Sequence, residues 1–328
     1  MKYVLQGLEP ATHIPHSMHG SNRNWPETNC YVDLWIELLS ALGLPPEAML
    51  GFTVRQDFEG DQFTFFKVPL EDLERLFDIR VTEFSIFDDV ERHVLAQINR
   101  GRMLLIEINS YWLPDTRGIS YRTSHGKTTI GINAIDPANK LLHYFHNGSF
   151  FDLQGSDYDG IFGRTNVVAG AVQLFPYVEF VKFPQIKRNP SPFDCKDFLK
   201  YHLAHRPHLN PFLEWQKALP AHIEDLMLRP EGYFHTYAFN TLRQFGANFE
   251  LLATHLSWLQ NSHGTSLDSE IAAAQSISET AKSMQFQLAR AISRRKPDSL
   301  TGLIAPIAEH YERLMEGLDA FAGVKRAA

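Results

Sequence analysis

The chain has 328 residues, 44% of them hydrophobic and 21% charged, with a formal net charge of −7. That balance supports a full hydrophobic core and excludes a mainly disordered chain. A mildly acidic surface also excludes general attraction to nucleic acid or an anionic membrane, and no apolar run reaches the roughly 18 residues that cross a bilayer.

The first thirteen residues, MKYVLQGLEPATH, lack the apolar core of a signal peptide, so a cytoplasmic location is expected. Residues 1–28 are irregular and rich in His, Pro, Asn and Ser. From Cys30 to Leu42 the pattern changes. Tyr31, Leu34, Trp35, Leu38, Leu39 and Leu42 recur at the spacing of one helical face. Thr28 or Asn29 caps this helix, and Gly43 and Pro45 stop it. The stretch from Gly51 to Val68, dense in Phe and Val with a turn near Glu59-Gly60, predicts a strand or hairpin. A short helix follows Pro69, then a strand from Arg80, a helix from near Asp88 to Gly101 and a strong strand from Met103.

Lys127 to Ala134 reads as a strand. Asp136-Pro137-Ala138-Asn139 reads as a turn, and Leu141 to Phe145 as the partner strand. Further short strands are expected up to about Phe183. Helix followed by sheet is an α+β order. Pro184–Pro192 reads as a linker. Helices are then expected over about 193–205, 209–227, 233–261, 267–295 and 300–321, a helical bundle or cap. The basic group Arg290, Arg294, Arg295 and Lys296 reads as a charged helix end. Two domains follow, 1–185 and 186–328.

Only two cysteines occur, Cys30 and Cys195. Such sparse use fits a reducing compartment and no disulfide scaffold. A thiol reacts as its thiolate, which a helix N-terminus and a nearby imidazole both favour. Cys30 opens a helix. His125 begins a strand and is the partner expected for it. A third group must orient the imidazole, and Asn147, at the end of the next strand, is placed to do so, with Asp136 as a competitor. Acyl transfer also needs oxyanion donors. The Cys30 backbone N–H is one, and the Asn24 side chain is a second, in competition with Asn22 and Asn29. Trp25, Tyr111 and His19 are expected to line the substrate cleft. Cys195 has no comparable context and reads as a core residue. The runs His13-x-x-His16-x-x-His19 and His202-x-x-His205-x-x-His208 have ligand-like spacing, but no carboxylate or thiolate stands at matching spacing, so no metal site is expected.

These elements resemble the papain-like pattern: an amide before a Cys that opens a central helix, a His on a strand, a Gly-aromatic-Asn turn, and a strand ending in Asn. Here they are Asn24, Cys30, His125, Gly131-Ile132-Asn133 and Asn147. Asn stands where Gln is usual, and Ile where an aromatic is usual. The whole chain also resembles a bacterial family called domain of unknown function 1839. The first half is similar to the butirosin-type acyltransferases in NCYVDLW, FTFFKVPLEDLERLF, LLIEINSYWLPDT and the His125 strand. The resemblance implies a papain-like cysteine-peptidase fold, a central helix packed on an antiparallel sheet, with a helical C-terminal domain. It implies transfer of an acyl or aminoacyl group from a carrier-protein thioester to a small amine through an acyl-Cys30 intermediate. The partner would carry the phosphopantetheine, and no bound cofactor is expected. The same residues suit an amide or peptide hydrolase. A non-catalytic module that docks a carrier protein or peptide is the third reading.

Overall fold

The computed structural model describes residues 1–165, 175–295 and 300–324. Two compact units divide the chain. The first gathers Met1–Ser21, Asn29–Pro46 and Leu70–Asn189; the second gathers Asn22–Thr28, Glu47–Pro69 and Pro190–Ala328. Two stretches from the first seventy residues are thus interleaved with the later part of the chain. Among the described residues no helix is long and apolar enough to cross a membrane.

In chain order the first unit holds β1 (Lys2–Tyr3), α1 (Cys30–Ala41), α2 (Leu70–Phe77), β2 (Arg80–Glu83), α3 (Val90–Ile98), β3 (Met103–Asn109), β4 (Lys127–Asp136), β5 (Leu141–His146), β6 (Ser149–Gln154), α4 (Ser156–Ile161) and β7 (Val178–Lys182). The strands form one antiparallel sheet in the order β2-β7-β3-β4-β5-β6, with β1 added on β4. The fold is therefore a mixture of helices and antiparallel sheet, an α+β architecture. Strand β7, from the region where only short strands were expected, inserts between β2 and β3.

Successive side chains on a strand face opposite sides. Ile130 and Ile132 of β4 join Leu104, Ile106, Tyr144 and Val178 in a core that includes Val94 and Ile98 of α3 and Tyr158 of α4. Gly131, between them, faces the other way. A Cβ built there would lie 3.2 Å from Leu105 and 3.4 Å from Leu34 of α1, so the missing side chain lets α1 approach the sheet. Helix α1 is buried from Tyr31 through Leu39, Asp33 and Glu37 included. Its burial extends all round, beyond the one face marked by the periodic apolar residues. The Gly131-Ile132-Asn133 stretch is the middle of β4 and not a turn. A bulge falls between Ile132 and Ala134, and the Asn133 amide tethers the N-terminal segment by accepting from Leu5 N–H at 2.8 Å and donating to Leu5 C=O at 3.1 Å.

The second unit is helical: α5 (Pro192–Ala204), α6 (Pro211–Leu228), α7 (Tyr233–Asn240), α8 (Leu242–His263), α9 (Asp268–Ser293) and α10 (Ile304–Ala322). The helix expected over 233–261 is broken at Thr241, whose hydroxyl donates to Tyr237 C=O and whose backbone leaves helical geometry. Lys296 of the expected basic cluster lies outside the described residues. The Gly51–Val68 stretch is not a hairpin. It begins in a 3-10 helix (Pro46–Arg55) and holds one isolated bridge, Phe58 to Phe63. Phe63 packs among Phe212, Trp215 and Phe245 at 5.1–5.6 Å between ring centroids. Phe52, Phe58, Phe63 and Phe66 of this stretch are buried, and burial of these rings outweighs strand propensity, whereas Phe65 is exposed.

Candidate functional site

Asn29 caps α1: its Oδ1 accepts from the N–H groups of Tyr31 at 3.2 Å and Val32 at 3.0 Å. Cys30 is the first helical residue and its thiol is half-buried, at the positive end of the helix dipole. One strip of α1 crosses the sheet. The Tyr31 hydroxyl donates to Glu179 on β7 at 2.7 Å, Leu34 covers Gly131, and Glu37 meets His13, whose ring lies 6.2 Å from Phe145 of β5. Burial, and then Glu179 beside it, push the Tyr31 phenol far above the ordinary tyrosine range, so it is a donor.

His125 is exposed and lies two residues before β4. The amide Nδ2 of Asn109 is 2.8 Å from its Nδ1, and its ring stacks on Tyr111 at 4.7 Å with 15° between planes. Asn109 ends β3 and caps the 3-10 turn Ser110–Trp112, its Oδ1 accepting from Tyr111 N–H at 3.1 Å. Ser110 N–H donates to Gly126 C=O at 2.8 Å and closes the loop. By strand alternation Asn109 shares its sheet face with Leu105 and Gly131, the face covered by α1. The thiol-bearing helix and the imidazole's amide partner therefore belong to one face. Among the described residues no hydrogen bond joins the Cys30 thiol to His125.

The amide that meets His125 is Asn109 and not Asn147. Asn147 sits in the turn between β5 and β6 with φ +45°, a left-handed conformation that Asn tolerates. Asp136 is also removed from His125, by the length of β4, about 30 Å. Its carboxyl is held below the usual range by hydrogen bonds from Asn139. Asn24 and Trp25 belong to the helical unit. The Asn24 N–H donates to Glu250 at 2.9 Å, and its residue lines a pocket of about 440 Å³ with Asn22, Arg23 and Glu250. Trp25 is a packing residue: it is 3% exposed, its indole N–H donates to Ser278 at 3.1 Å, and it fills the space left by Gly246. Tyr111 stands beside His125, its ring stacked on the imidazole. His19 lies against Gly148 and places Nε2 3.4 Å from Glu37.

The first histidine run converges on one buried carboxylate. His13 Nε2 is 2.8 Å from Glu37, and His16 N–H donates to it at 2.7 Å. Among the described residues no group of three or more His, Cys, Asp or Glu is arranged to hold a metal. A second polar network lies on the opposite sheet face. Thr128 Oγ1 is 2.7 Å from His146 Nε2, and His146 Nδ1 is 2.5 Å from Asp115, which also accepts from the Tyr144 hydroxyl at 2.5 Å. Hydroxyl, imidazole and carboxylate stand in the relation of a hydrolase triad, but Thr128 is 7% exposed and His146 1%, so the network holds structure. A cavity of about 710 Å³ in the helical unit, lined by Arg55, Lys67, His205, His208 and Phe65, includes neither Cys30 nor His125.

Cys195 is fully buried, and burial followed by Asp194 pushes its thiol up to about 12. Iodoacetamide is accordingly expected to label Cys30 and spare Cys195 in the folded protein at neutral pH. Peptide mapping reads this directly, and equal labelling of both would refute it.

Asn109 precedes His125 on the neighbouring strand β3, so it lies outside the strand after His125 from which an orienting group is expected. Its own signal was an Asn closing the strong strand MLLIEIN before a Ser-Tyr-Trp turn, an Asx-cap pattern. No curated protein matches the chain. The model of the DUF1839 N-terminal domain matches residues 14–183, and that of the DUF1839 C-terminal domain matches residues 193–320. With both domains matched across most of its length, the chain belongs to the DUF1839 family.

Proposed function

We propose that the protein is a cysteine-dependent acyltransferase of papain-like design, with Cys30 as nucleophile and His125 as its acid–base partner. What supports this reading is the shared sheet face: a thiol at the tip of a buried, capped helix, and an imidazole held by an amide on the side of the sheet that this helix covers. In the first step the Cys30 proton passes to His125, and the sulfur attacks the carbonyl of an acyl thioester on a carrier protein. The new C–S bond forms, the old one breaks, and the departing thiolate takes the proton from His125. In the second step an amine attacks the acyl-Cys30 carbonyl, gives its proton to His125, and Cys30 leaves as the thiol. The Cys30 N–H is the oxyanion donor. No resident cofactor takes part in this scheme.

The test is an acyl-pantetheine thioester added to the protein, followed by intact-mass measurement. An acyl adduct that maps to Cys30, is absent in Cys30→Ala, and is discharged by added amine faster than by water supports transfer. Discharge by water alone supports the amide hydrolase. Absence of any adduct would sink the catalytic reading. A docking module without catalysis is the second reading, favoured by the lack of a Cys30–His125 hydrogen bond among the described residues.

A further inference from the structure

We infer that Asn109 is a positioning residue that holds His125 as the Nε2–H tautomer, so that the site rests in a form unable to take the Cys30 proton. The inference deepens the Cys30–His125 reading and rests on it for its consequence, though not for the tautomer itself.

The orientation of the Asn109 amide follows from its two neighbours. The Tyr111 backbone N–H points at one end of the amide at 3.1 Å and must find an oxygen there. The other end is then the NH₂ group, 2.8 Å from His125 Nδ1. Rotating the amide by half a turn would set NH₂ against N–H at Tyr111, two donors facing each other. The NH₂ group therefore donates to Nδ1, which must be bare. A neutral ring with a bare Nδ1 carries its proton on Nε2. Turning the ring over would set Cδ2–H against the Asn109 NH₂ and lose that hydrogen bond, while stacking on Tyr111 keeps the ring in its plane. His125 at rest is thus a proton donor at Nε2, with its other nitrogen occupied. For it to accept the thiol proton at Nε2, the proton already there must be lost and Nδ1 must gain one. That requires Asn109 to turn its oxygen to Nδ1 and give up Tyr111. Substrate binding that reorganises the Ser110–Trp112 turn would arm the base by this route.

A carboxylate resolves the conflict that an amide cannot. In Asn109→Asp one oxygen accepts from Tyr111 N–H and the other from an Nδ1–H, leaving Nε2 bare. The experiment uses the full chain labelled with ¹⁵N-histidine, with the His125 signals assigned by their loss in His125→Gln. Wild type is expected to show a bare Nδ1 and a protonated Nε2, and Asn109→Asp the reverse. Alkylation of Cys30 by iodoacetamide at pH 7 is expected to rise roughly tenfold or more in Asn109→Asp, within the range of general-base effects. Asn109→Ala is expected to lose the tautomer preference without that gain. An Nδ1–H signal in the wild type, or an unchanged tautomer in Asn109→Asp, overturns the assignment. The two failures separate cleanly. If adding His125→Ala to Asn109→Asp leaves the faster Cys30 alkylation unchanged, the catalytic pairing falls while the tautomer measurement still decides the role of Asn109.

Discussion

Asp115→Ala is expected to lower the stability of the protein by about 3–5 kcal/mol, the usual cost of removing one partner from a buried charged network. Asp115 is 4% exposed and accepts from both the Tyr144 hydroxyl and His146 Nδ1. Burial, and then the carboxylate itself, hold the Tyr144 phenol well above the ordinary range, so it stays a donor in need of an acceptor. Truncation leaves two buried donors unsatisfied and releases the loop between β3 and β4, which carries Tyr111 and His125. That loop is otherwise tied to α4 through Tyr121 and Arg122, both bonded to Asp157. Asp115→Asn should be much milder. Its oxygen keeps one donor, and its NH₂ can donate to the tyrosine oxygen or to an imidazole that has moved its proton to Nε2, which then donates to Thr128. Urea denaturation checks both variants. An alanine variant within about 1 kcal/mol of wild type, or an asparagine variant as damaged as the alanine one, would show that the network carries little stability.

The second large effect is acid sensitivity centred on His255 in the helical unit. This residue is fully buried on α8, and its Nδ1–H donates to Glu47 C=O at 2.8 Å. Burial lowers its pKa to about 4, with a further small push from His202 and partial opposition from the Glu47 carbonyl. In the unfolded chain the ring titrates near the ordinary value of about 6.5. Between those values the unfolded state binds a proton that the folded state refuses. Stability is therefore fully present above about pH 6.5, falls as pH is lowered through the window, and stops falling from this cause below about pH 4. The loss amounts to on the order of 3 kcal/mol, at 1.36 kcal/mol per unit. His255→Asn keeps an N–H donor for Glu47 and removes the titration. Denaturation at a series of pH values should show a flatter profile for the variant, whatever its offset at pH 7. Parallel profiles would assign the acid loss to other groups.

Elements set by neighbours along the chain were legible in the sequence. The periodic leucines after Cys30, the Asn29 cap and the Gly43 stop describe α1 because each acts within one helical turn. The Asp136–Asn139 turn between β4 and β5 is equally local. The helical character of the last third follows from the same short-range pattern.

Partners across long separations were decided by the tertiary structure alone. Nothing in residues 13–19 says that three histidines converge on Glu37, and nothing near Phe63 says that its neighbours are Phe212, Trp215 and Phe245. Strand alternation tells which side chains share a face but not which strand lies alongside, so the insertion of β7 between β2 and β3 was beyond the sequence. The candidate site divides in the same way. Cys30 is readable as the tip of a helix, because a cap and a periodicity are written in consecutive residues. The amide that holds His125 is chosen by the pairing of β3 with β4, which brings Asn109 opposite Lys127, and such a pairing depends on burial of two whole strand faces rather than on any local signal.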